Sequence, residues 1–308
     1  MYWKREVLNP SEKLFDGEGE RMRKHLLVTV SEQSRYLHGV RFVESFFRDK
    51  SAVKVTLFYV APRIDAPKGT TDLAQRQMNM KTNEIYMKRG QEALDRGCEL
   101  LIRRGFPPEQ VLCRLIAKQF GTVKDIAREG RLGAYDAVVL GRRGYTVFES
   151  VLSDSVTKAM MGHDVDFPLW ICRQPEQGRR NVLLCVDGSE SSLRAADHVG
   201  FMVEKEKDHA VAIFHVDTGH GMSVESIVDE AWNKLRENGV EEERISSSVA
   251  RSSRAVKTIL DEVERKRYAA VAVGRVGVQK GRLKEWMVGS RSMKLLESME
   301  KAALWVSR

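Results

Sequence analysis

The feature that most constrains this chain is an internal repeat. Tyr135-Asp136-Ala137-Val138-Val139-Leu140-Gly141 matches Tyr268-Ala269-Ala270-Val271-Ala272-Val273-Gly274, with Tyr and Gly at the ends and apolar residues between. The same offset pairs Val123-Lys124 with Val256-Lys257, and Ile126 with Ile259. A second common offset joins Leu27-Val28-Thr29-Val30 to Leu183-Leu184-Cys185-Val186, and Phe58-Tyr59-Val60 to Phe214-His215-Val216. Near each unit's end, Leu169-Trp170-Ile171-Cys172-Arg173 matches Leu304-Trp305-Val306-Ser307-Arg308. The difference between offsets puts an insertion in the first unit, at residues 61–81, where Pro62, Pro67 and Gly69 suggest an exposed, mobile loop. The chain divides into an N-terminal extension (1–22), a first unit (23–173), a polar linker (174–180) and a second unit (181–308).

Within the second unit, apolar runs alternate with helical periodicity. Strands are predicted at Asn181–Val186, Ala210–Val216, Ile245–Ala250, Ala269–Val273 and Ala303–Ser307. Helices are predicted at Ser189–Val203, along the face Ile227, Ala231 and Leu235, around Val256–Val263, and at Ser290–Met299. Strands apolar on both faces imply a parallel sheet covered on both sides, and right-handed crossovers make it doubly wound. The predicted fold is α/β: two tandem, doubly wound, five-stranded parallel sheets.

Composition narrows the class. At 308 residues with 42% hydrophobic content, the chain has enough apolar side chains for two cores. No apolar run is long enough to span a membrane, and residues 1–24 lack the apolar centre of a signal peptide, so a cytoplasmic protein is expected. The net charge of +8 permits anionic partners. The cations are interspersed with acids, as in Glu204-Lys205-Glu206-Lys207, and without aromatic interleaving, which disfavours nucleic acid. Cys98, Cys113, Cys172 and Cys185 form no C-x-x-C pair and have no His cluster beside them. They read as small apolar core residues in a reducing compartment, with neither disulfide nor metal site.

In an open parallel sheet, ligands sit beyond the carboxyl ends of the strands. In the second unit the first strand ends in Val186-Asp187-Gly188-Ser189. On this segment alone Asp187 and Ser189 serve equally well as turn and capping residues. The fourth strand ends in Gly274-Arg275-Val276-Gly277, followed by a basic stretch with Lys280, Arg282 and Lys284, then Gly289-Ser290-Arg291-Ser292 opening the last helix. Glycines let backbone N–H groups approach phosphate oxygens, and a helix N-terminus adds free donors and a positive dipole end. The spacing is neither a Walker A loop nor G-x-G-x-x-G. The histidines are scattered: His215 reads as a packed strand residue, and His220 follows near Gly221. No nucleophile elbow or metal-ligand spacing occurs.

A first strand ending in V-D-G-S, a fourth ending in G-x-x-G, and a spacer leading to G-[S/T] at the last helix resemble the universal stress protein family, over both units. The resemblance implies the universal stress protein, adenine nucleotide α-hydrolase-like fold and ATP, with or without Mg2+, as ligand. It places Asp187, with Val186, at the adenosine end and Val216 on the adenine. It places Gly274, Val276, Gly277, Gly289, Ser290, Arg291 and Ser292 around the phosphates. One departure is the spacer Val278 to Val288, two residues longer than the family pattern. The first unit departs further: Gly141-Arg142-Arg143-Gly144 is present, but Asp154 replaces the glycine expected at the helix start, and the first strand ends in Val30-Ser31-Glu32 without an exit Asp. A carboxylate there would repel phosphate, whereas Arg142 and Arg143 would attract it. The resemblance also implies pairing through the last strands, at Leu169 and Leu304, as an intramolecular pseudo-dimer or with another chain as a homodimer. The expected function is a cytoplasmic stress-response protein binding ATP in its second unit and regulating an unidentified protein partner, without catalysis beyond slow hydrolysis. The alternative is an interaction scaffold that binds no nucleotide. An ATP-consuming transferase would need a substrate domain for which the chain has no room.

Overall fold

A computed structural model describes residues 24–33, 37–65, 72–141, 150–163, 165–219, 223–275 and 290–308. The N-terminal half contains β1 (Lys24–Thr29), α1 (His38–Phe46), β2 (Val53–Ala61), α2 (Leu73–Arg103), β3 (Val111–Ala117), α3 (Thr122–Leu132), β4 (Ala137–Gly141), α4 (Ser150–Gly162) and β5 (Leu169–Cys172). The C-terminal half repeats the order with β6 (Val182–Cys185), α5 (Glu190–Val203), β7 (Val211–Asp217), α6 (Val224–Glu237), β8 (Ile245–Arg251), α7 (Ala255–Lys266), β9 (Ala270–Gly274), α8 (Ser290–Ser298) and β10 (Ala303–Ser307). The C-terminal elements lie close to where the apolar periodicity puts them.

Each half forms five parallel strands, and the two sets join edge to edge into one ten-stranded sheet, β3-β2-β1-β4-β5-β10-β9-β6-β7-β8. Among the described residues the junction is the only antiparallel pair, with Trp305 opposite Trp170 and Leu304 opposite Ile171. Every crossover within a half contains a helix, as parallel pairing demands. Strand residues alternate between two cores. Leu26 and Val28 face α1, α2, α5 and α6. Leu27 faces α3, α4, α7 and α8.

At the junction the Trp170 and Trp305 rings stack with centroids 3.9 Å apart and planes 4° apart. Phe42, Phe46 and Phe47 of α1 and its C-cap pack edge or face against them. Trp170 Nε1 donates to His198 Nε2 on α5 at 2.9 Å, linking the halves through a buried hydrogen bond. Lys24, 2% exposed, adds an ion pair across the junction to Glu204 at 3.4 Å. The Arg48 N–H donates to Glu206 Oε2 at 2.8 Å. The polar stretch 174–180 is anchored too: buried Arg179 donates to the Tyr268 carbonyl and to Glu264 and Glu176.

Two expectations require correction. The stretch 61–81 is not simply a loop, because Leu73–Lys81 are the first turns of α2, which runs for 31 residues against 14 in its counterpart α6. Asp72 caps it, accepting from the Ala74 and Gln75 N–H groups at 2.9 and 3.3 Å, and no proline interrupts the helix behind it. Second, Cys98 on α2 and Cys113 on the edge strand β3 form a disulfide, 15 residues apart in sequence. The long helix lies along the edge strand and brings two thiols together that no local motif pairs. Cys172 is free and buried, and Cys185 is free and half-buried.

Candidate functional site

The site is built around the carboxyl ends of β6 and β9. Leaving β6, Val186 is buried and its N–H donates to the Phe214 carbonyl at 3.0 Å, extending the ladder by one residue. Asp187, half-buried, then turns the chain: its Oδ1 accepts from the Ser189 N–H at 3.1 Å and from the Ser189 hydroxyl at 2.6 Å. Gly188 between them has φ +78°, which a side chain would make strained. Ser189 is the N-cap of α5, with its Oγ 3.2 Å from the Ser192 N–H. The turn-and-cap role is therefore real, and it holds the Asp187 carboxylate at the strand exit. The carboxylate's charge acts on its neighbour, for burial and then Asp187 raise the pKa of the Cys185 thiol and keep it neutral.

At β9, Gly274 closes against this turn. A Cβ at Gly274 would lie 2.5 Å from Ser191 Oγ and 2.7 Å from the Ser192 backbone nitrogen, so α5 can approach β9 only over a glycine. From the other side, the buried Ser292 hydroxyl in the first turn of α8 donates to the Gly274 carbonyl at 3.3 Å. The N-termini of α5 and α8 thus flank one strand end. Their dipoles put the positive end of two helices at that place, which suits an anion. Arg291 is exposed beside them. Val216 ends half-buried beside β6, packed on the α7–α8 core. His215 is a packed strand residue with Nδ1 2.8 Å from the Val186 carbonyl.

The structure therefore brings Val186, Asp187, Val216, Gly274 and Ser292 to one end of the sheet. Ser290 opens α8 and Arg291 follows it. Val276, Gly277 and Gly289 lie outside the described residues, as do Lys280, Arg282, Lys284, His220 and the longer spacer 278–288. Among the described residues no group of three or more His, Cys, Asp or Glu side chains is arranged to hold a metal ion. No helix among them is long and apolar enough to cross a membrane.

Sequence reasoning missed Arg275. It is 8% exposed, and its guanidinium reaches the opposite half, donating to the Met161, His163 and Val165 carbonyls. Only its place inside the repeated G-R-x-G motif hinted at a role.

At the corresponding end of the N-terminal half, the described side chains bond one another around Glu32. The Tyr59 hydroxyl donates to Glu32 Oε1 at 2.6 Å, and Arg96 of α2 donates to the Glu32 carbonyl at 2.5 Å. α4 begins at Ser150, so Asp154 stands about one turn inside the helix and not at its start. Arg142, Arg143 and Gly144 lie outside the described residues.

Comparison with known families matches residues 178–307 to the universal stress protein family. Comparison with curated proteins yields no match. Among solved structures, a universal stress protein from Archaeoglobus fulgidus DSM 4304 is similar over 92% of this chain and 98% of its own, at 18% identity and a TM-score of 0.65. A Pseudomonas aeruginosa UCBPP-PA14 protein assigned to the universal stress proteins is similar over 92% of this chain and 93% of its own, at 11% identity and a TM-score of 0.50. A universal stress protein solved in complex with cAMP covers 42% of this chain with 95% of its own, at 19% identity and a TM-score of 0.34. Residues 178–307 carry a universal stress protein domain, and the archaeal protein shares the fold over 92% of this chain.

Proposed function

We propose that this protein binds one adenine nucleotide, ATP with or without Mg2+, at the carboxyl ends of β6 and β9, and acts as a stress-response regulator through a nucleotide-dependent change of conformation or partner. The observation that carries this reading is the convergence on Gly274 of the Asp187 turn and two helix N-termini. Asp187 supplies an acceptor for the adenosine end, and Val186 and Val216 supply apolar surface for the base. The backbone donors of the 274–292 stretch, with Ser290, Arg291 and Ser292, supply the phosphate side. Val276, Gly277 and Gly289 complete that side by their motif positions. Binding and not turnover is its proposed role, since the described groups of the set are a turn carboxylate, hydroxyls and helix N-termini. We assign no second site to the N-terminal half, where the Tyr59 hydroxyl bonds the Glu32 carboxylate and Arg96 bonds the Glu32 backbone carbonyl.

Isothermal titration with ATP and magnesium tests this. The unmodified protein is expected to bind, and Gly289→Asp, which copies Asp154 of the first unit, to lose binding through like-charge repulsion. Absence of binding to the unmodified protein, freed of co-purified nucleotide, would leave the scaffold reading. One observation favours that second reading: Leu73, Met78, Met80 and Ile85 are all at least half exposed on the extended part of α2, an apolar surface available to a protein partner.

A further inference from the structure

The last helix of each half ends against an arginine from the other half. α4 finishes at Gly162 with the unsatisfied carbonyls every helix leaves at its C-terminus. Three carbonyls there, of Met161, His163 and Val165, are taken by one guanidinium, that of Arg275, with the Val165 contact at 3.3 Å. A forked cation is suited to this place by geometry and by the negative end of the helix dipole. In the other direction, Arg173, which follows β5, donates to the Glu297 carbonyl in the last turn of α8 at 3.3 Å. Lys158 on α4 and Glu297 on α8 form an ion pair at 3.0 Å, tying the two helices together.

Arg275 is also the residue between Gly274 and Val276. Its backbone N–H donates to the Ser307 carbonyl at 2.7 Å, fixing it to the end of β10. The Gly274 carbonyl immediately before it accepts from Ser292 at the start of α8. One short stretch therefore carries three connections: to the proposed phosphate side, to the last strand, and through its side chain to the opposite half. Arg142 holds the equivalent motif position in the first unit.

We infer that Arg275 is a positioning residue and not a phosphate ligand. It holds the end of β9 at Gly274 against the N-terminal half, so that nucleotide binding in the C-terminal half is transmitted to the end of α4. This rests on the nucleotide reading above and names the route by which that site regulates. A shift at the end of β9 moves the guanidinium, and the guanidinium bonds the Met161, His163 and Val165 carbonyls at and just beyond the end of α4. The surface that answers to nucleotide is then the end of α4 near Met161–Val165, on the half that binds none.

Hydrogen exchange by mass spectrometry on the full chain tests it, with and without ATP and magnesium, beside a titration of nucleotide affinity. The reporters are the His163 amide, bonded to the Ala159 carbonyl at 2.8 Å, and the Val165 amide, bonded to the His163 carbonyl at 3.0 Å. In the unmodified protein, ATP is expected to change their exchange roughly three- to tenfold, the range a single hydrogen-bonded contact contributes. In Arg275→Ala they exchange faster without ligand, ATP no longer alters them, and affinity falls by a similar factor. Arg275→Lys, which keeps the charge but loses the fork, shows the same uncoupling and serves if the alanine variant does not fold. If ATP binds the unmodified protein yet leaves 159–165 unchanged, or if the response survives in both variants, the transmission is overturned while the binding site stands. If the unmodified protein binds no nucleotide, both fall together.

Discussion

Trp170 and Trp305 hold equivalent places in the two units, yet their indole N–H groups fare differently. Trp170 Nε1 bonds to His198, whereas the buried Trp305 Nε1 has no partner. The repeat explains this. The offset that matches Leu27 with Leu183 and Phe58 with Phe214 matches His198 with Phe42, and Phe42, edge-on to Trp305 at 6.3 Å, has no acceptor to offer. Trp170→Phe loses a hydrogen bond and strands His198, while Trp305→Phe removes an unsatisfied donor from the core. Chemical denaturation should find the first more destabilising by about 1–2 kcal/mol. The same pair makes the junction sensitive to acid. Burial lowers the His198 pKa to about 3, far below its ordinary value near 6.5, so the unfolded chain binds a proton there that the folded chain does not. The stabilisation from neutral His198 is fully present above pH 6.5 and declines as pH falls towards 3, at up to about 1.4 kcal/mol per pH unit. His198→Gln should flatten that part of the stability profile measured between pH 6.5 and 4. An unchanged slope would place the acid sensitivity elsewhere, with half-buried His25 and buried His38 and His209 as the other candidates, all lowered to about 4 chiefly by burial.

At the scale of the element, α2 separates the two halves most clearly. Its counterpart α6 ends the comparison after 14 residues, but α2 continues to 31 and is tied by the Cys98–Cys113 disulfide to the sheet edge. Cys113 is exposed, so a reductant can reach the bond. Reduction, or Cys98→Ser with Cys113→Ser, should lower the stability of the unreduced protein by about 2–4 kcal/mol, the usual effect of opening such a closed loop. The double variant should melt at one temperature with or without dithiothreitol. A parent Tm unaffected by dithiothreitol would contradict the prediction. This element was also the least legible in the sequence. The insertion could be located because two offsets disagree, and the prolines at 62 and 67 pointed to a loop. The cap at Asp72 lay beyond them and the thiols met only through tertiary packing, which no spacing announces. The strands were easier. Runs such as Val182–Cys185 and Ala270–Gly274 are apolar on both faces because both faces are covered, and that pattern is written in sequence.

For the whole molecule, the consequence of the repeat is a continuous sheet. The family resemblance implied pairing through the last strands at Leu169 and Leu304, within the chain or with another, and in the structure each covers the edge of the other's half. Asp187, Gly274 and Ser292 could be named from sequence because strand exits and helix starts are where motifs concentrate. Arg275 could not, since an arginine in a glycine turn is ordinarily read as solvated, and its contacts lie more than a hundred residues away on another unit. The two candidate ligand ends of the sheet are therefore unequal: one is an Asp-led turn beside two helix N-termini, and at the other Tyr59 and Arg96 bond Glu32. Equilibrium dialysis of labelled ATP against the full chain measures that inequality directly. The account predicts saturation at one nucleotide per chain. Saturation at two would contradict the assignment of no site to the N-terminal half, and no uptake by nucleotide-free protein would contradict the site itself.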